Sequence, residues 1–161
     1  MFGQRKSGSD KLIETESGLV DAVIQLLARR EYSRHELEER FRSRVVDESL
    51  LQQVLDRMVA DGYQSDLRCA GMILRQRVGQ GYGERRIRFD LRNKGIADAL
   101  VEQVLEEASV DWFEQAKELA ERKYAGRPVT DMKEKAKRVR HLQGRGFGYD
   151  EIRYALEAAD E

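Results

Sequence analysis

Apolar residues along this chain recur at intervals of three and four, the spacing of one buried face of an α-helix. Leu19, Val20, Val23, Ile24 and Leu27 set out a first helix over residues 17–30. Ser33 followed by Glu36 is a capping box, which starts a second helix at residue 34 and carries it to about 44. Tyr32 before the cap and Leu37 at the fourth helical position form a hydrophobic staple, which sets the angle of entry. Asp47 is the N-cap of a third helix with the stripe Leu50, Leu51, Val54, Leu55, Met58 and Val59. Gly62 closes it, with Tyr63 just beyond.

The stapled joint occurs three times. Tyr32, Ser33, Leu37 and Phe41 are matched by Tyr82, Gly83, Ile87 and Leu91, and again by Phe147, Gly148, Ile152 and Leu156. Gly replaces Ser at the second and third caps, while Gly81 and Gly146 let the preceding helix end in a left-handed turn. A shift of fifty residues also carries Ile24 to Leu74, Leu51 to Val101, Val54 to Val104, Leu55 to Leu105 and Tyr63 to Phe113. A period held over so many apolar positions marks an internal repeat of a three-helix unit. The third joint follows the second after 65 residues, so fifteen extra residues lie between Phe113 and Phe147, around 125–130 where the single proline falls. Helices are expected over 112–124, over 131–143 and from the third joint to 159. The expectation is an all-α chain of three tandem three-helix repeats in an elongated array. A flexible leader, 1–16, precedes repeats at 17–64, 65–111 and 112–161.

Composition narrows the class. Of 161 residues, 40% are apolar and 37% charged, which fits narrow apolar stripes and wide solvated faces. The single cysteine, Cys69, cannot form an internal disulfide and suits a reducing compartment. Residues 1–11 lack the apolar core of a signal peptide and no later run reaches membrane length, so the expected location is the cytoplasm. A formal net charge of −1 excludes a globally basic nucleic-acid binder, yet it hides strong segregation. Residues 68–95 carry eight Lys or Arg against Glu84 and Asp90, and residues 96–121 carry eight Asp or Glu against Lys117 alone. Residues 133–145 are basic again. Alternating charged bands follow.

GQGYG (79–83) and GRGFG (144–148) have the glycine density of phosphate loops, but the strand and βαβ context such loops need is missing. They read as glycine-capped joints. His35 and His141 have no partners at metal-ligand spacing, and Cys69, in a helix without a candidate triad, reads as a small core residue. Trp112 and Phe113 read as packing between repeats. No enzyme and no cofactor is expected. Arg85, Arg88 and Arg92 share one helix face with Arg86 to the side and Ile87 and Leu91 inward. Such a face suits phosphate or an acidic protein surface.

Gly81-Tyr82-Gly83, Arg86-Ile87, Leu91 and Lys94-Gly95-Ile96 together resemble the central signature of the RecX family of bacterial regulatory proteins. Ser65-Asp66 with Arg68 and Ala70, Asp111-Trp112, Arg122-Lys123-Tyr124 and Arg145-Gly146-Phe147 fall in the family's order, so that the resemblance spans residues 17–159. Gln80 stands where the family often has a basic residue, and Cys69 where it often has Phe.

The resemblance implies three tandem repeats in an elongated, curved molecule that lodges in the groove of the RecA recombinase filament on single-stranded DNA. It implies limited filament extension and suppressed ATP hydrolysis, strand exchange and coprotease activity, hence regulation of homologous recombination, DNA repair and the SOS response. On that footing the expected contacts are Arg75, Arg77, Arg85, Arg86, Arg88, Arg92, Lys94, Lys133, Lys137, Arg138, Arg140 and Arg145. Tyr32, Ser33, Gly81, Tyr82, Gly83, Gly146, Phe147 and Gly148 are expected as structural joints. A monomer without membrane contact is expected, and weak direct contact with DNA stays open. Two rivals remain: a direct DNA-binding protein acting through the basic bands, and a structural adaptor binding proteins through the acidic helices.

Overall fold

The computed structural model describes residues 11–158, which form nine α-helices and no strand beyond one isolated bridge. The fold is all-α. The chain divides into two compact units, Met1–Cys69 and Ala70–Glu161. The first unit holds α1 (Glu16–Leu27), α2 (Arg34–Phe41), α3 (Glu48–Ala60) and the start of α4 (Asp66–Gly79). The second holds the rest of α4 with α5 (Glu84–Asn93), α6 (Asp98–Ala108), α7 (Trp112–Tyr124), α8 (Met132–Gly144) and α9 (Tyr149–Ala158).

In the first unit Leu19, Val23, Leu37, Phe41, Leu51, Leu55 and Met58 form one buried cluster. The α1 helix begins at Glu16 because the Thr15 side chain accepts from Gly18 N at 3.0 Å. Its innermost residues are Leu19, Val23 and Leu26, with Leu27 only partly buried, and it ends three residues short of the expected 30. At α2 both halves of the capping box are made: Glu36 N to Ser33 Oγ and Ser33 N to Glu36 Oε1, each 3.1 Å. This helix stops at Phe41 rather than about 44: Arg44 N turns back to Phe41 O at 2.9 Å, and Arg44 O then accepts from Ile13 N at 2.7 Å beside a short parallel bridge between Ile13 and Val45. Residues 1–10 of the expected leader lie outside the described residues, but 11–16 carry this bridge and the first cap. On α3 the stripe is Leu51, Val54, Leu55 and Met58, while Val59 faces outward.

In the second unit Ile87 and Leu91 of α5 and Val101, Val104 and Leu105 of α6 are buried. A cluster joins α7, α8 and α9 through Ala116, Ala120, Tyr124, Leu142, Phe147, Ile152, Ala155 and Leu156. The three alanines leave little between α7 and α9, so these helices approach closely. Large side chains such as Phe147 and Ile152 each contribute about 1.5–3 kcal/mol by leaving water. Phe113 packs edge-on against Tyr154 of α9, with ring centroids 5.7 Å apart.

The second and third joints meet backbone to backbone. Gly81 and Gly146 end α4 and α8 at φ +82° and +99°, a left-handed turn after which Phe147 is buried and Tyr82 half-buried. Gly83, the N-cap of α5, makes no side-chain cap. Instead Gly83 N donates to Arg145 O at 2.7 Å and Arg85 N donates to Gly146 O at 3.1 Å. A Cβ on Gly83 would lie 2.5 Å from the Gly146 carbonyl, and one on Gly146 2.6 Å from Arg86 N. Gly83→Ala is therefore expected to cost about 1–3 kcal/mol or more, because backbone must move. Gly79→Ala, where a Cβ meets nothing within 4 Å, is expected to be neutral or to stabilise by about 0.4–1 kcal/mol. Urea unfolding followed by circular dichroism separates the two.

Candidate partner-binding surface

The basic residues of α4 and α5 fall into two groups. Arg77 and Arg86 both hold the Asp90 carboxylate, at 2.7 and 3.1 Å. Arg88 binds Glu84 at 3.1 Å and also Glu102 of α6, which holds the Glu102 carboxyl below its usual range. Arg92 reaches Asp98 at 3.4 Å, with both groups exposed. Lys94 is the C-cap of α5 and half-buried. Arg75 and Arg85 are exposed and have no ion pair among the described residues. Between Arg85 and Arg92, one turn from each, stands Phe89 at 59% exposure. Its signal in the sequence is an aromatic out of phase with Ile87 and Leu91, which the apolar stripe alone passes over.

Two of the expected contact residues are engaged within the protein, Arg138 buried and Arg145 half-buried. Arg138 is 3% exposed; its guanidinium binds Glu134 at 3.1 Å, donates to Arg127 O at 3.0 Å and lies 4.2 Å over the Tyr124 ring. Arg145 donates to Gln80 O and Gly81 O and lies 3.8 Å from the Tyr82 ring centroid, with Arg86 also over that ring at 4.8 Å. These arginines clamp the fold through carbonyls and rings of other segments, which their spacing on the helix does not signal. Lys133, Lys137 and Arg140 do stand exposed along one face of α8, with no ion pair among the described residues. The unpaired stripes are thus Arg85–Phe89 on α5 and Lys133–Lys137–Arg140 on α8.

No group of three His, Cys, Asp or Glu among the described residues is arranged to hold a metal ion. His35 is exposed and His141 half-buried. Cys69 is fully buried, and burial, then Glu36 and Asp66, push its thiol up to about 12. No helix among the described residues is long and apolar enough to cross a membrane.

Two outcomes follow. Iodoacetamide at mildly alkaline pH should leave Cys69 unmodified in the folded protein and label it only on unfolding, read by mass spectrometry. Arg138→Ala should destabilise by about 2–4 kcal/mol by stranding Glu134 and the Arg127 carbonyl, whereas Arg140→Ala should stay within about 0.5 kcal/mol in the same denaturation assay.

Comparison with known proteins adds the family. The family model for the second three-helix domain of RecX matches residues 65–105, and that for the third matches 109–156. The regulatory protein RecX of Vibrio parahaemolyticus is 42% identical over 141 residues, which cover 88% of this chain and 91% of that protein. The regulatory protein RecX of Halorhodospira halophila is 39% identical over 141 residues, 88% of each chain. The crystal structure of RecX from Lactobacillus salivarius shares the fold, with a TM-score of 0.77 over 90% of this chain and 96% of that one at 22% identity. With such identity sustained along nearly the whole length of its relatives, the chain belongs to the RecX family of regulatory proteins.

Proposed function

We propose that the protein is a negative regulator of the RecA recombinase. It binds the RecA filament on single-stranded DNA along its groove, limits extension, and lowers ATP hydrolysis, strand exchange and coprotease activity. It acts by binding, as a monomer in the cytoplasm, and needs no cofactor. The observation that carries this reading is identity of about 40% with proteins named as RecX regulators across almost the entire chain. The surface supports it. Lys133, Lys137 and Arg140, exposed along α8 without an ion pair among the described residues, and Arg85 on α5 offer contacts to an acidic protein surface or to phosphate.

A second reading has one observation in its favour. An exposed aromatic flanked by arginines, as Phe89 is by Arg85 and Arg92, is the arrangement that single-strand binders use to stack a base and hold the neighbouring phosphates. In that case the protein acts on DNA directly.

RecA's ATP hydrolysis on single-stranded DNA, measured with this protein at substoichiometric levels, separates the two. Hydrolysis should fall at ratios too low to coat the DNA. The triple substitution Arg85→Glu, Phe89→Ala and Arg92→Glu should weaken that inhibition about tenfold or more while leaving helicity intact. Arg88 is left out because reversing it would place its new carboxylate against Glu84 and Glu102. Unchanged hydrolysis, combined with steeply salt-dependent binding to naked DNA, would move the assignment to the second reading.

A further inference from the structure

Residues 125–131 join α7 to α8 and open a cleft that shares Lys137 with the α8 stripe and otherwise has no task in the regulatory reading. Its volume is about 700 Å3, well within the roughly 300–1,000 Å3 of small-molecule sites. Lys123 from the end of α7, Arg127 and Thr130 from the loop, and Lys137 and His141 from α8 contribute to its walls. Glu134 is the one carboxylate among the lining residues, and Arg138 already holds it at 3.1 Å. Lys123 and Lys137 are exposed and have no carboxylate within ion-pair distance among the described residues.

Three details define what the cleft can hold. Lys123 Nζ lies 3.3 Å from His141 Nδ1, so the ammonium donates and the imidazole is neutral. Burial first, then the neighbouring Lys123 and Arg145 charges, keep that imidazole below its ordinary value. The arginine forks are already committed. Arg127 donates Nε to Tyr124 O at 3.1 Å and Nη2 to Lys123 O at 3.2 Å, and Arg138 is held by Glu134 and Arg127 O. What remains are ammonium groups and the Thr130 hydroxyl. These are point donors suited to a tetrahedral anion, without the planar fork that a carboxylate pair would use. The Tyr124 ring carries Arg138 at 4.2 Å, which takes up a face that could otherwise stack on a base.

We propose that this cleft is a phosphate-binding site, in which Lys123, Lys137 and Thr130 take the phosphate of a nucleotide-sized ligand without reading its base. Two sources carry that chemistry: a free nucleotide polyphosphate, and the backbone of a single-stranded nucleic acid. The full chain would be titrated calorimetrically with pyrophosphate, with ATP and with an oligothymidylate, beside the double variant Lys123→Glu/Lys137→Glu. The control variant is Lys135→Glu, on the same helix but outside the cleft. Pyrophosphate or ATP should bind, and the double variant should weaken binding about tenfold or more while the control does not. Binding of the oligothymidylate alone, lost in the double variant, also supports the site and assigns the phosphate to a strand. Absence of binding by all three probes, or equal affinity in wild type and double variant, or equal loss in the control, overturns it. Circular dichroism checks that the variants keep their helices. The assay contains no RecA, so a negative result removes the phosphate site and leaves the regulatory reading standing.

Discussion

The contact on which the second unit depends joins two stretches of backbone, not two side chains. The α5 helix begins at a glycine with no side chain to cap it, so its first N–H groups need acceptors from elsewhere. Carbonyls of Arg145 and Gly146 supply them at 2.7 and 3.1 Å. A buried N–H left without a partner costs about 1–3 kcal/mol, so the third joint completes the second. That approach exists only because neither strand of the contact carries a Cβ at Gly83 or Gly146. The first joint meets the same need within its own sequence, through Ser33 and Glu36, and adds Asp66 Oδ1 as acceptor for Arg34 N at 2.9 Å.

Arginine secures these joints in a way lysine could not. Arg30 lies 3.5 Å over Tyr32 and binds Glu36, Arg145 lies over Tyr82 and donates to two carbonyls, and Arg138 repeats the arrangement at Tyr124. A planar guanidinium can stack on a ring while its edge donates in several directions. The lysines of α8 have no such planar edge, and Lys133 and Lys137 project without an ion pair among the described residues. Much of the arginine charge therefore builds the molecule, while Lys133, Lys137 and Arg140 on α8 stay exposed without an ion pair among the described residues.

This division shapes the cationic surface of a near-neutral chain. The acidic helix α6 neutralises part of the α5 face through Glu102 and Asp98, which reduces the cationic surface to discrete stripes rather than a continuous band. Discrete stripes favour docking at defined spacings over loose attraction to any polyanion. The exposed Phe89 adds an apolar side chain to this otherwise charged face.

The helices and their joints were legible because periodicity, caps and staples are local: Ser33 and Glu36 are three residues apart, and the fifty-residue repeat places Tyr82 and Ile87 directly. Helix ends were legible only where their cause was local. The segment after α2 is bridged to Ile13, far back in the chain, which no local signal announces. The candidate surface was legible as a set of basic residues but not as a set of available ones. The sequence by itself determined that the chain would be a helical repeat with segregated charge, since both follow from residue order. Only the tertiary structure decided which cations are free, because pairing depends on distances between residues remote in sequence, as Arg88 with Glu102 and Arg145 with Gln80 show.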